Sequence, residues 1–201
     1  MTKIIVATRN EGKIREFKSL LENKHWIVYS LKDFPHVEVP EENGRTFREN
    51  ALIKAAAVAS STGMVALGDD SGLEVDYLDG SPGVYSARFS GEEANDQKNN
   101  EKLLGLMSGV PEAMRRARFR CVIAIVNPWG ETHFCEGVCE GIIASEPAGN
   151  NGFGYDPLFW LPQYKKTMAQ LSMEEKNLIS HRSQAFKKAL VILEKLFKAE
   201  E

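Results

Sequence analysis

Strand and helix signals alternate in the first half of the chain, and a long hairpin and a helical C-terminal stretch follow. This order predicts an α/β fold with a mixed sheet flanked by helices, rather than a regular parallel barrel. Two segments carry the prediction. KIIVAT (3–8) is a β-rich run feeding RNEGKIREFKSLLEN, where Ile14, Phe17, Leu20 and Leu21 recur at helical spacing. RARFRCVIAIVNPWGETHFCEGVCEGIIA reads as two long strands around NPWG, a type I turn signal with proline second. No repeat, low-complexity segment or linker interrupts the 201 residues, so residues 1–201 are expected to form one domain, with room for two lobes.

The remaining elements follow in order. Asn10 is placed to cap the first helix. HWIVYSL (25–31) reads as a second strand, and DFPHVEVPEENG as a loop carrying the consecutive acids Glu41 and Glu42. TFRENALIKAAAVASSTG has a capping box at Thr46 and Glu49, an alanine-rich body, Lys54 one turn beyond Asn50, and Gly63 as a stop. MVALGDDSGLEVDYL reads as a buried strand, an acidic turn at Asp69 and Asp70, and an alternating strand. DGSPGVYSARFSG is a loop and NDQKNNEKLLGLM a helix. SEPAGNNGFGYDPLFW is a glycine-rich loop entering a short strand. SMEEKNLISHRSQAFKKALVILEKLFKAE reads as helical, with a second capping box at Ser172 and Glu175 and an apolar stripe of Phe186, Leu190, Leu193 and Phe197.

Composition narrows the function. The chain is 43% hydrophobic and 26% charged, as in an ordinary soluble protein. No apolar stretch approaches the roughly 20 residues of a membrane span. The apolar run in MTKIIVATRN is too short for a signal-peptide core, so a cytoplasmic protein with no membrane partner is expected. A net charge of −3 argues against a nucleic-acid partner, though it leaves room for a local basic pocket. Three cysteines at loose spacing suit reduced thiols. His133, Cys135 and Cys139 lie close together in HFCEGVC, but no second pair completes a zinc set, and all three fall on one face of a strand.

Four segments carry candidate chemistry. In ATRNEGK a strand enters a helix through a polar turn, presenting backbone N–H groups at the positive end of the helix dipole, with Thr8, Asn10 and Lys13 added. A plain helix cap with a solvated lysine would use the same residues. Asp69 and Asp70 end a buried run, where a carboxylate can hold Mg²⁺ or deprotonate a water; a solvated turn is the alternative. In GNNGFGYDP, Gly152 and Gly154 flank Phe153, which suits close backbone approach and ring stacking on a base, or simply a loop with a buried ring. In KNLISHRSQ, Lys176, His181 and Arg182 offer donors to a phosphate or a base carbonyl, or mark a charged helix start. Together these are the parts needed to hold a nucleoside triphosphate with a divalent metal.

TRNEGK, FRENALIKA, DDSGLEVDYLDGSPGVYSARFSG, FGYDPLF and KNLISHR stand in the order found in the inosine triphosphate pyrophosphatase family, and the chain most resembles its bacterial dITP/XTP branch. The resemblance covers almost the whole chain. It implies an elongated α/β fold with a central mixed, twisted sheet, two lobes and a groove between them, usually as a homodimer. It also implies a hydrolase that cleaves the α–β phosphoanhydride of ITP, dITP and XTP, giving monophosphate and pyrophosphate and keeping deaminated bases out of DNA and RNA. Carried onto this sequence, Thr8, Arg9, Asn10, Glu11, Gly12 and Lys13 hold phosphates with Lys54. Asp70 is the general base and a metal ligand, with Ser71 beside it on the substrate. Phe153, Gly154, Tyr155, Asp156, Lys176, His181 and Arg182 bind the nucleotide. Glu42 or Glu41 supplies a second ligand to Mg²⁺, with Mn²⁺ also suited. A pyrophosphatase for other modified nucleotides, a non-catalytic nucleotide sensor and a nucleic-acid-binding module are the competing readings.

Overall fold

The computed structural model describes residues 2–22, 26–38 and 40–198. Asn23, His25, Val39, Ala199 and Glu200, each within an expected element or loop, lie outside the described residues. Strand β1 (Thr2–Val6) is followed by α1 (Glu11–Leu21), whose cap is Asn10: its side chain accepts from the Lys13 N–H. β2 (Trp26–Ser30) pairs with β1 in parallel. Helix α2 (Phe47–Thr62) opens on the Thr46/Glu49 capping box and closes at Gly63, whose φ of 64° is the left-handed conformation glycine adopts without a Cβ clash.

β3 spans Ala66–Val75 and pairs in parallel with β1, Ile5 opposite Ala66 and Val6 opposite Leu67. The expected break at Asp69 and Asp70 is therefore absent: both aspartates lie inside one continuous ten-residue strand. Asp, Ser and Gly signal a turn when judged locally, but ladder bonding and the ion pairs described below keep the backbone extended. The stretch after β3 is not plain loop, since two short 3₁₀ turns, Asp76–Leu78 and Gly83–Arg88, organise it.

Helix α3 (Asp96–Leu106) is capped by Asn95. β4 (Arg116–Val126) and β5 (Thr132–Ile143) form the expected hairpin, with the Gly130 N–H bonded to the Asn127 carbonyl at 3.0 Å across the NPWG turn. β6 (Phe159–Leu161) and β7 (Lys166–Thr167) extend the sheet antiparallel. Among the described residues the strand order is β2-β1-β3-β4-β5-β6-β7, a mixed sheet.

The C-terminal helical stretch is two helices, α4 (Met173–Ile179) and α5 (His181–Lys198), broken at Ser180, whose ψ of 153° is extended. Serine favours the non-helical backbone of a cap position, and no glycine or proline marks the break in the sequence. None of the described helices is long and apolar enough to cross a membrane. All three cysteines are free and buried, and no group of three or more metal-ligating side chains occurs among the described residues.

The chain divides into two compact units, Met1–Asp70 with Cys121–Gly137 and Arg182–Glu201, and Ser71–Arg120 with Val138–His181. In the first, Ile4, Val6, Phe17, Leu67, Ile123 and Phe186 are fully buried together, with Phe17 and Phe186 edge to face at 5.3 Å. In the second, Leu73, Leu103, Met107, Phe119, Leu158 and Phe159 form the core. Because strand side chains alternate, Val65, Leu67 and Asp69 share the face covered by α1 and α5, while Ala66, Gly68 and Asp70 share the face covered by α2.

Contact on the α2 face is close. A Cβ on Gly68 would stand 2.0 Å from the Ala51 carbonyl oxygen and 2.8 Å from the Ala55 nitrogen, both backbone atoms. The alanines of α2 and Gly68 thus let helix and strand approach without intervening side chains. Gly68→Ala is expected to push α2 off the sheet, costing about 1–3 kcal/mol as overpacking does, read as a lowered denaturation midpoint with concurrent loss of activity.

Candidate active site

The turn between β1 and α1 is tied by its own side chains. Thr8 Oγ1 accepts from the Asn10 N–H at 3.1 Å, and Asn10 Oδ1 accepts from the Lys13 N–H at 3.0 Å. Arg9 donates to the Val37 carbonyl at 3.2 Å, exposed Glu11 pairs with Lys32, and Gly12 is buried. Lys13 is not solvated as a plain cap would leave it. Its Nζ donates to the Asp69 carbonyl at 3.2 Å and forms an ion pair with the Asp69 carboxylate.

Asp69 is 1% exposed. On its face of the sheet, Arg182 donates from Nε to Oδ2 at 2.9 Å and from Nη2 to Oδ1 at 3.4 Å, and the Cys121 thiol donates to Oδ2 at 3.0 Å. Arg182 also pairs through Nη1 with buried Glu16. Burial alone would raise the Asp69 carboxyl, but the charges of Arg182 and Lys13 outweigh it and hold the group well below the ordinary carboxylate range. Burial likewise works against the Arg182 charge, and Asp69 and Glu16 more than restore it. Burial, reinforced by Asp69, pushes the Cys121 thiol well up, so it stays a neutral donor.

Asp70 points to the other face, toward α2. Its Oδ1 accepts from Lys54 Nζ at 3.0 Å and its Oδ2 from Asn50 Nδ2 at 3.2 Å. Lys54 reaches a second carboxylate, Glu42 Oε2, also at 3.0 Å. Two acids thus share one ammonium. Burial raises the Asp70 carboxyl above its ordinary value; Lys54 and Lys13 oppose this and the Glu42 charge adds to it. Glu42 is lowered, because the charge of Lys54 outweighs its burial. Burial would lower Lys54, but Asp70 and Glu42 raise it. Glu42 is the acid brought beside Asp70, whereas Glu41 is exposed. Asn50, one turn before Lys54, and Glu16, an acid on the buried side of α1, belong to these networks but stand out weakly in the sequence.

In the second unit, Asp156 Oδ2 accepts from the Phe153 N–H at 3.0 Å and pairs with buried Lys176, whose ammonium lies 5.0 Å from the Phe153 ring centroid. Gly152 has a φ of 77°, and a Cβ there would meet Asp156 Oδ2 at 2.0 Å, so the carboxylate folds under the loop only because position 152 lacks a side chain. Buried Tyr155 donates from Oη to the Ser86 carbonyl at 2.8 Å. His181 stacks on Phe119 at 4.8 Å, and Ser71 is half-buried in β3. His181 and Arg182 lie in the first turn of α5, and Lys176 belongs to α4. Arg182 departs from the picture of an open donor: at 1% exposure, three of its N–H groups are directed at Asp69 and Glu16.

A family model described as the Ham1 family matches residues 4–192. A dITP/XTP pyrophosphatase of Desulforamulus reducens is 55% identical over 195 residues, covering 97% of each chain. One of Bacillus subtilis is 50% identical over 194 residues, covering 96% of this chain and 98% of that protein. Among solved structures, a HAM1 protein from Coxiella burnetii superposes with a TM-score of 0.87 at 42% identity, covering 97% of this chain and 100% of its own. The Staphylococcus aureus Ham1 protein gives 0.82 at 42% identity, with both chains fully covered.

The lowered Asp69 carboxyl has a stability consequence with a defined sign. A carboxyl depressed in the folded state stabilises the fold fully above its unfolded value and loses that contribution as pH falls toward its folded value. Urea midpoints of the native chain should therefore decline as pH falls from about 5 toward about 3, and Asp69→Asn should be less stable at neutral pH with a shallower decline. Equal slopes in the two proteins would remove Asp69 as the source.

Proposed function

The chain belongs to the Ham1 family, and from that premise we propose that it is a nucleoside-triphosphate pyrophosphatase acting on dITP, ITP and XTP, releasing the monophosphate and pyrophosphate. The observation that carries the reading is the buried group of Asp70, Glu42 and Lys54 beside the Lys13–Asp69 pair: an acid with a raised pKa next to two fixed ammonium groups. The whole chain acts as one catalytic domain on the cytoplasmic nucleotide pool, as a homodimer.

Asp70 takes a proton from a water, and that water attacks the α-phosphorus in line with the bridging oxygen. The bond from the α-phosphorus to that oxygen breaks, and the electron pair leaves with pyrophosphate. Lys13 and Lys54 face the charge that develops on the leaving group, their ammonium groups already positioned by Asp69 and by Asp70 with Glu42. The β1–α1 turn from Thr8 to Lys13 offers its backbone N–H groups and the positive helix end to the phosphates. Ser71 follows Asp70 on the strand and touches substrate.

Asp70 and Glu42 fit a hard divalent cation, since two carboxylates sharing the single Lys54 ammonium offer oxygen donors and surplus negative charge. Mg²⁺ is the ion proposed, with Mn²⁺ suited by the same donors. When bound, the ion neutralises phosphate charge at the reacting centre.

Phe153 stacks on the base, and Gly154, Tyr155, Asp156 and Lys176 shape the pocket around it. His181 supplies a donor toward a 6-keto group. A 6-amino group would meet that donor with another donor, which at about 1–3 kcal/mol for an unpaired buried group gives roughly tenfold to a hundredfold discrimination against adenine. Arg182, enclosed by Asp69 and Glu16, first serves to fix Asp69, and any contact with a base comes second to that role.

Incubation with Mg²⁺ and, separately, dITP, XTP, dGTP and dATP tests the reading. Monophosphate and pyrophosphate from dITP and XTP, with little product from dGTP or dATP, is expected. Orthophosphate as the first product would contradict α-phosphorus attack, and no turnover would favour the sensor. Asp70→Asn should lower kcat by at least about a hundredfold while leaving nucleotide binding nearly intact, as loss of a general base does. Equal loss of binding and turnover would reject Asp70 as the base.

A further inference from the structure

Gly154 sits in the left-handed region at φ 61°, and nothing lies within 4 Å of where its Cβ would be. Both of its backbone polar groups are taken by one helix. Its N–H donates to Asp96 Oδ2 at 2.7 Å, and its carbonyl accepts from Asn100 Nδ2 at 2.9 Å. Asp96 and Asn100 stand four residues apart on α3, the spacing that puts two side chains on one helix face. The Asn100 amide oxygen is buried with no hydrogen-bond partner among the described residues. A buried acceptor left unmade is costly, so this asparagine serves through its donor to Gly154. The adjacent Asn99 holds the next anchor of the same loop. Its Nδ2 donates to the Ser86 and Ala87 carbonyls at 3.3 and 3.1 Å, and the Ser86 carbonyl also receives the Tyr155 hydroxyl.

We propose that Asp96 and Asn100 are positioning residues for base recognition: by gripping both ends of Gly154 they fix the peptide that follows Phe153 and so set the orientation of its ring. The inference rests on the proposed stacking of Phe153 on the purine. Neither residue belongs to the glycine-rich segment itself. The ring is braced from the other side by Asp156, which accepts from the Phe153 N–H, and by Lys176 near its face. Phe153 is therefore fixed on one side through its own backbone and on the other through Gly154. Holding an aromatic platform in its bound geometry lowers the ordering cost of binding, and that gain is specific to the base.

Steady-state kinetics on the full chain with dITP and Mg²⁺ test this, with inorganic pyrophosphate as a competing ligand that has no base. Turnover by the native chain comes first; its absence would overturn the pyrophosphatase reading and this proposal together. Given turnover, Asn100→Asp keeps the size of the side chain but sets an acceptor against the Gly154 carbonyl. It should raise KM for dITP about tenfold, the worth of one lost hydrogen bond with its repulsion, with kcat within about twofold and the pyrophosphate inhibition constant unchanged. Asp96→Ala should act in the same direction, while Asp96→Asn, which keeps an acceptor oxygen, should restore KM to near the native value. The Asp96 pair decides the question if Asn100→Asp does not fold. An unchanged KM in the folded variants, or KM and the pyrophosphate inhibition constant rising together, would overturn the positioning role.

Discussion

The site depends on two adjacent aspartates in one extended strand facing opposite sides of the sheet. Like charges on neighbouring residues would repel strongly if they shared a surface. The two-residue period of β3 separates them and gives each its own cations: Arg182 and Lys13 for Asp69, Lys54 for Asp70. The arrangement requires helices on both faces close enough to deliver those cations. On the α2 side that closeness comes from Gly68, where no Cβ fits under the Ala51 carbonyl. Lys54 and Asn50 reach Asp70 because the helix lies almost directly on the strand.

The two faces then behave differently. Asp69, enclosed by an arginine, a lysine and a thiol, has its carboxyl held well below the ordinary range, and its charge orders its neighbours. It turns the Lys13 ammonium inward from the start of α1 and ties α5 to β3 through Arg182, which in turn neutralises buried Glu16. A charged cluster of this kind is weak evidence for stability in itself, since desolvation offsets much of the attraction; its stronger consequence is geometric. Asp70 keeps a raised carboxyl because burial penalises its charge, and Glu42, which shares Lys54 with it, adds to the rise. Two neighbouring carboxyls shifted in opposite directions follow from the environments on either side of a single strand.

Much of the fold was legible locally. The Asn10 cap, the two capping boxes, the Gly63 stop and the NPWG turn each depend on residues within a few positions of one another, and each forms as read. Lys13, Lys54, Asp69 and Asp70 stand out as candidates by their motifs, and the structure brings Lys13 to Asp69 and Lys54 to Asp70. Legibility failed where distant partners decide. GDDS reads as a turn until Arg182, 113 positions away, and α2 supply its counter-charges. Glu42 and Glu41 are equivalent in sequence and are distinguished only by the position of Lys54. Arg182 reads as a donor for a ligand until Glu16, 166 positions away, is seen beside it. The break at Ser180 has no glycine or proline to announce it, and Asp96 and Asn100 look like ordinary surface positions on a helix.

The most direct measurement is a pH titration of the aspartate side-chain carboxyl signals by ¹³C NMR in the nucleotide-free, metal-free protein, assigned with Asp69→Asn and Asp70→Asn. Shifts in opposite directions are expected, Asp69 remaining ionised well below the ordinary aspartate range of about 4 and Asp70 titrating above it. Two aspartates titrating together near the ordinary value would contradict the division of labour between the two faces of the strand.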